Sequence, residues 1–269
     1  MKGTGGTLAS FLARTRLAGR AAFMPFITAG FPSRSAMPGI LSMLKDGGAD
    51  CLELGVPFSD PIADGATIQR TSSAALAGGM TLARALRIAS VAARMGHRVV
   101  VMSYANPLMR AGLRELPRTL ASAGVGGLLV PDLPLEEAGE WRERLRGAGV
   151  ALALFAAPTT PVKRLRRINA LTGAFVYYVS LTGVTGERTA LPKGLAARLR
   201  EVRRAVSSPV CVGFGISNPE QARMVARAAD GVIVASALVR RLEGWARGAA
   251  QRRAIARWVE SMARGVHAG

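Results

Sequence analysis

The chain alternates short, nearly continuous apolar runs with longer stretches whose apolar residues recur at helical spacing. The short runs are Phe23–Thr28, Cys51–Val56, Val99–Tyr104, Gly127–Val130, Ala151–Ala156, Phe175–Ser180, Val210–Phe214 and Val232–Ala235. Runs of this length, apolar on both faces, are the pattern of parallel strands covered on both sides. Helical spacing fills the segments between them. In Leu135–Arg146 the acids Glu136 and Glu137 come early and the arginines late, as the helix dipole favours, and Glu140 stands four residues before Arg144. Pro192–Val206 and Pro219–Ala229 are further helices, the second with Asn218 placed to cap it. Gln251–Val266 is predicted as a closing helix and Leu8–Leu17 as an extra helix ahead of the first strand. Eight strands alternating with helices over 269 residues predict an α/β fold, a single (β/α)8 TIM barrel with an extra N-terminal helix. A doubly wound open sheet is the alternative. No shift in composition marks a second domain, so residues 1–269 are expected to form one.

Composition narrows the class. Apolar residues make up 49% and charged residues 20%, a globular balance. The formal charge of +19 comes from 36 basic and 17 acidic residues and raises the question of nucleic-acid binding. The arginines are spread along helical segments, for example Arg142, Arg144 and Arg146, then Arg198, Arg200, Arg203 and Arg204, with no aromatic residues interleaved as stacking platforms. Solvated helix faces account for that distribution, and no nucleic-acid partner is expected; attraction of anionic metabolites is a second use of the charge. The two cysteines, Cys51 and Cys211, lie inside apolar runs without metal-ligand spacing and are expected to be buried thiols. The longest uncharged stretch, Ile168 to Gly186, is too rich in Asn, Ser, Thr and Gly to span a membrane, and no secretory segment is recognisable. A soluble, cytoplasmic protein is expected.

In a barrel, chemistry sits at the C-terminal ends of the strands and in the loops that follow. Three places stand out. In Cys51–Gly65 the period of two puts Cys51, Glu53 and Gly55 on one strand face and Leu52, Leu54 and Val56 on the other. Glu53 is therefore a carboxylate in or near an apolar interior, where it should titrate high and serve as acid or base. Asp60 and Asp64 follow in the loop. A structural role stands beside each functional one: Glu53 could pair with an arginine, and the aspartates could cap turns. The second place is the strand from Phe175, with Tyr177 on its face, running into the Gly- and Thr-rich stretch through Gly183, Thr185 and Gly186. A core aromatic with a flexible loop is the alternative to a site with a lid. The third is Gly213-Phe-Gly-Ile-Ser after the seventh strand, with Ala235-Ser236 after the eighth. Loops at these positions recur as phosphate sites in barrels, backbone N–H groups facing the anion.

The segment Leu52-Glu-Leu-Gly-Val-Pro-Phe-Ser-Asp-Pro-Ile-Ala-Asp-Gly is similar, almost letter for letter, to the signature of the tryptophan synthase α-subunit family. The resemblance continues, in order, through Phe23-Met-Pro-Phe-Ile-Thr-Ala-Gly, Ser103-Tyr-Ala-Asn-Pro, Val130-Pro-Asp-Leu-Pro-Leu-Glu-Glu, Gly183-Val-Thr-Gly and Gly213-Phe-Gly-Ile-Ser. It implies a cofactor-free retro-aldol cleavage of indole-3-glycerol phosphate to indole and glyceraldehyde 3-phosphate. In this resemblance Glu53 is the general acid and base, Asp64 holds the indole N–H, and Tyr177 lines the site beside Glu53. Gly186, Gly215 and Ser236 match phosphate-binding positions, with Ala235 where the family usually has Gly; its methyl could crowd the phosphate. Phe26, Ile68, Tyr104, Leu129 and Phe214 match residues around the substrate. No metal is implied. The family further implies docking on a β subunit that carries pyridoxal phosphate, in an αββα assembly, with Pro57, Asp60, Pro61 and Asn106 in segments facing that partner. A free-standing lyase and a non-catalytic barrel binding anions or nucleic acid are the alternatives.

Overall fold

A computed structural model describes residues 7–179, 194–213 and 215–269. Eight parallel strands close into a barrel in chain order: β1 (Ala22–Thr28), β2 (Cys51–Gly55), β3 (Arg98–Met102), β4 (Val125–Leu129), β5 (Ala151–Ala156), β6 (Val176–Val179), β7 (Val210–Gly213) and β8 (Gly231–Val234). The last strand pairs with the first, Ala22 beside Gly231 and Pro25 beside Val234, so the sheet has no edge and the open-sheet alternative is excluded. Strand boundaries differ from the apolar runs by one or two residues. The runs overshoot at Ser103, Tyr104 and Ala235, because apolarity persists into the loops that line the barrel mouth. Ser180, Pro192 and Phe214, at the ends of predicted elements, lie outside the described residues.

Alternation along each strand builds two apolar layers. Phe23, Ile27, Leu52, Leu54, Val176 and Tyr178 point outward and pack beneath the helices. Ala22, Met24, Phe26, Cys51, Val100, Phe175, Tyr177 and Cys211 point into the barrel. Both cysteines are thus fully buried free thiols. Two interior glycines make room for aromatic rings: a Cβ at Gly55 would strike the Phe26 ring, and one at Gly213 the Tyr177 ring. Each ring occupies the volume that its neighbour's missing side chain leaves open.

The helix Leu8–Leu17 covers the mouth at the N-terminal ends of the strands. Thr7 caps it, accepting from the Ser10 N–H at 3.3 Å, and Leu8 and Leu12 belong to the interior cluster. Phe11 lies under the Arg98 guanidinium at the start of β3, 3.8 Å from ring centroid to Cζ. The helix predicted from Leu135 begins at Ala138, because Leu135 to Glu137 form a tight turn after Pro134. The Glu140–Arg144 pair forms at 2.6 Å. Asn218 caps Pro219–Ala226 by accepting from the Gln221 N–H at 2.9 Å, and the final helix runs Ala249–His267.

One carboxylate fastens the two chain ends to the same face. Asp50, just before β2, accepts from both Arg20 amino groups at 3.0 and 3.1 Å, from the Phe23 N–H at 2.9 Å and from His267 Nε2 at 2.7 Å. Burial pushes its pKa upward, but the His267, Arg20 and Phe23 hydrogen bonds outweigh that and hold it below the ordinary aspartate value. Its contribution to stability is therefore complete above the unfolded value and is lost as pH falls through the lower folded one. Asp50→Ala is expected to cost about 3 kcal/mol, lowering Tm by roughly 10 °C at neutral pH. In thermal melts the gap from the parent protein should close as pH drops below about 3.8.

Candidate active site

A cavity of about 350 Å³ opens at the C-terminal mouth of the barrel, a volume suited to a small metabolite. Six of the eight strands contribute inward-facing residues near their C-terminal ends. Phe26 comes from β1, Glu53 from β2, Met102 from β3, Phe155 from β5, Tyr177 and Val179 from β6, and Ile233 from β8. Loops and the first turns of the helices behind them supply the rim: Asp64 and Ile68 after β2, Thr160 after β5, Gly215 after β7, and Ala235 with Ser236 after β8.

Glu53 is the group this arrangement singles out. Strand register sets it between Phe26 on β1 and Val100 on β3, and its side chain is 1% exposed. Among the described residues no donor reaches its Oε2. Among the described residues no arginine pairs with it, so the structural alternative finds no support there. Burial, and then the charge of Asp64, push its pKa up to about 8. Asp64 sits at the rim, half-buried, where burial raises it to about 6 against the lowering effect of the Tyr104 hydroxyl. That hydroxyl also accepts from the Ala63 N–H at 2.9 Å, so Tyr104 fixes the backbone at Ala63 and the side chain of Asp64 together. At neutral pH the pair is split: Glu53 mostly protonated, Asp64 mostly ionised. Two carboxylates with opposed protonation states in one cavity form a ready acid and a ready anion.

Tyr177 packs its ring 4.8 Å from Phe155 and 6.4 Å from Phe175, centroid to centroid. Burial, then the neighbouring Glu53, push its hydroxyl well above the usual tyrosine range, so it remains a neutral phenol. These rings form an apolar slot with the two carboxylates at its edge.

Of the residues named from the sequence, Glu53, Asp64, Tyr177, Phe26, Ile68, Gly215, Ala235 and Ser236 all border the cavity. Leu129 and Tyr104 do not. Leu129 is fully buried beside Met102 in register, and it is the methionine that reaches the cavity. Tyr104 is 1% exposed and touches the site through Asp64. Gly186 and Phe214, with the Gly183–Gly186 stretch, lie outside the described residues. Sequence reasoning passed over Met102, Phe155, Thr160 and Ile233. Phe155 carried a signal, since it sits at the C-terminal end of the fifth apolar run, where barrels keep their chemistry. Met102 and Ile233 carried none beyond strand parity.

On the outer rim, Asp60 and Asn106 are exposed, Pro61 is half-exposed and Pro57 is buried. Among the described residues no cluster of His, Cys, Asp or Glu is arranged to hold a metal, and no helix is long and apolar enough to cross a membrane.

A raised carboxyl pKa has a cost in stability. The folded chain keeps the Glu53 proton that the unfolded chain releases near pH 4.5, so stability is full below that value and falls as pH rises through about 8. Glu53→Gln removes this term. Its unfolding free energy should match the parent's in acid and exceed it at pH 9 by on the order of a few kcal/mol, read as a higher Tm. Equal stability at alkaline pH would show that Glu53 is not desolvated as described.

Comparison with known proteins gives the site its context. Residues 12–267 match the family model described as "Tryptophan synthase alpha chain". The tryptophan synthase alpha chain of Roseiflexus castenholzii is 50% identical over 238 residues, 88% of this chain and 91% of that protein. That of Chloroflexus aurantiacus is 47% identical over 240 residues, covering 88% and 90%. Among solved structures, a Mycobacterium tuberculosis tryptophan synthase chain superposes with a TM-score of 0.88 at 34% identity, covering 97% of this chain and 98% of its own length. Tryptophan synthase subunit alpha from Legionella pneumophila gives 0.88 at 30% identity, covering 97% and 99%. The chain belongs to the tryptophan synthase alpha chain family.

Proposed function

We infer that the chain catalyses the retro-aldol cleavage of indole-3-glycerol phosphate to indole and glyceraldehyde 3-phosphate, as the α subunit of tryptophan synthase. The observation that carries this reading is Glu53, a buried carboxyl whose Oε2 has no donor among the described residues, in an aromatic-walled cavity beside an ionised aspartate.

The reaction needs a proton delivered to an aromatic carbon and then a proton removed from a hydroxyl. Protonated Glu53 donates to indole C3, leaving an indoleninium cation. Asp64, ionised at neutral pH, accepts the indole N–H and stabilises that charge. The Glu53 carboxylate then takes the proton of the glycerol hydroxyl next to C3. The C–C bond breaks, its electron pair returns to the ring, and the hydroxyl carbon becomes the aldehyde. Glu53 ends protonated, so the cycle closes without an external acid or base. The Phe155–Tyr177 slot suits the indole ring. The phosphoryl group belongs against Gly215, Ala235 and Ser236, in the loops after β7 and β8. Gly215 has φ +75°, a conformation that favours glycine and bares its backbone to the ligand, whereas Ala235, at φ −108°, accepts a side chain without strain.

The exposed face around Asp60, Pro61 and Asn106 also bears Ile62, 77% exposed, and Met109, 56% exposed. Apolar side chains left in water beside the cavity mouth suit docking of the β subunit there.

Indole release from indole-3-glycerol phosphate tests the reading. Its kcat/KM should rise as pH passes about 6, when Asp64 ionises, and fall above about 8, when Glu53 loses its proton. Glu53→Gln should abolish turnover while retaining substrate binding, and Asp64→Asn should lose on the order of a hundredfold or more. Wild-type turnover by the Gln variant would remove Glu53 from the mechanism. A β subunit added to the assay should raise turnover, and an Ile62→Asp change should cancel that rise without altering the activity of the chain alone.

A further inference from the structure

A second cavity, of about 290 Å³, lies at the other end of the barrel and is lined by Arg200, Arg203, Arg204, Arg227 and Ala228. Arg200, Arg203 and Arg204 belong to the helix Leu195–Ala205, and Arg227 ends the helix Pro219–Ala226. The chain passes from Ala228 through Asp230 into the first residue of β8. The active-site cavity is at the far end of that strand, roughly 13 Å away along four residues of backbone, with the packed interior between.

The charges here are arranged unlike those elsewhere on the surface. Arg144, Arg146, Arg198 and Arg264 each pair with a glutamate three or four residues away on their own helix. Around this cavity the carboxylate is Asp230, 1% exposed. It faces Arg16 at 3.4 Å and Arg203 at 3.5 Å and accepts from the Val210 N–H at 2.8 Å. Arg203 also donates to the Ala228 carbonyl at 3.5 Å. Arg200, Arg204 and Arg227 are exposed and have no acidic partner among the described residues. Arg200 stands four residues before Arg204, a like-charge spacing that destabilises a helix. The helix C-termini offset part of this. Five guanidinium charges against one carboxylate, and about half a charge from each of two C-termini, leave roughly three positive charges around one small cavity.

We propose that this cavity is a binding site for a small oligophosphate, separate from the active site. Guanidinium groups bind phosphate oxygens in pairs through their fixed N–H fork. Three of them converging on one cavity match an anion that carries several charges within a few ångströms, better than a lone phosphate with at most two. The cavity holds a di- or triphosphate group and leaves any attached nucleoside in solvent. Asp230 is already engaged by Arg16, Arg203 and a backbone amide, so it repels the ligand less than an open carboxylate would.

Isothermal titration of the full chain with sodium triphosphate, alongside inorganic phosphate, tests the proposal. The expected result is one saturable triphosphate per chain, tighter than phosphate, weakening with added salt, and unchanged by an excess of glycerol phosphate. Arg204→Gln with Arg227→Gln should weaken it by about tenfold or more, at unchanged Tm and unchanged rate of indole release. Arg87→Gln, exposed on the helix Leu82–Arg94 and remote from this cavity, serves as the charge control and should leave it intact. Three outcomes would each overturn the proposal: no saturable binding, competition by glycerol phosphate, or equal loss in the control variant. Duplex DNA that binds through these arginines and is not displaced by triphosphate would replace it with a nucleic-acid surface.

Discussion

A carboxyl group held dry is the constraint around which this molecule is arranged. Glu53 takes its acidity from what surrounds it: Phe26 and Val100 on the neighbouring strands, a closed barrel that keeps water from its lower end, and a single charge, Asp64, at the rim. A buried carboxylate without a donor is strongly disfavoured, so the group keeps its proton at pH values where an exposed glutamate has lost it. The same desolvation that makes Glu53 an acid at neutral pH also lowers the stability of the fold in alkali. Function and fold compete at one residue, as active sites commonly require.

The walls around it follow from size matching. Two rings reach into the barrel where two strands carry glycine, Phe26 against Gly55 and Tyr177 against Gly213. These couples set both the depth of the cavity and the orientation of its aromatic side. Tyr104 works from outside the cavity, gripping Ala63 and Asp64, so the anion at the rim is as firmly placed as the acid in the interior. The rim loops are then free to differ in the ligand they accept while the acid–base pair stays in register.

Much of this was legible in the chain before folding. Strand parity put Cys51, Glu53 and Gly55 on one face, and closure made that face the interior. The end-of-strand rule located Asp64, Gly215 and Ser236. Leu129 was misplaced because sequence position says that a residue is near a strand end, but not which of the neighbouring side chains reaches the cavity. Met102, its register partner on β3, lines the cavity and Leu129 does not. That no donor among the described residues reaches Oε2 was not legible either, because pairing depends on what the other seven strands bring. The excess of arginine read as helix faces in water, and on most helices it is; its convergence at the ends of two successive helices became visible only in three dimensions.

The Asp50–His267 contact joins residues 217 apart in the chain. Pairing of β1 with β8 likewise waits for the last strand. Contacts of such long range form late in folding, after the entropy of closing most of the chain into a loop has been met. Until then the end of β2 is wet, and a wet glutamate titrates like any other. The acid that drives the chemistry is therefore created by ring closure rather than carried by any segment. A partly assembled barrel, however much helix and strand it holds, has the glutamate but not its proton.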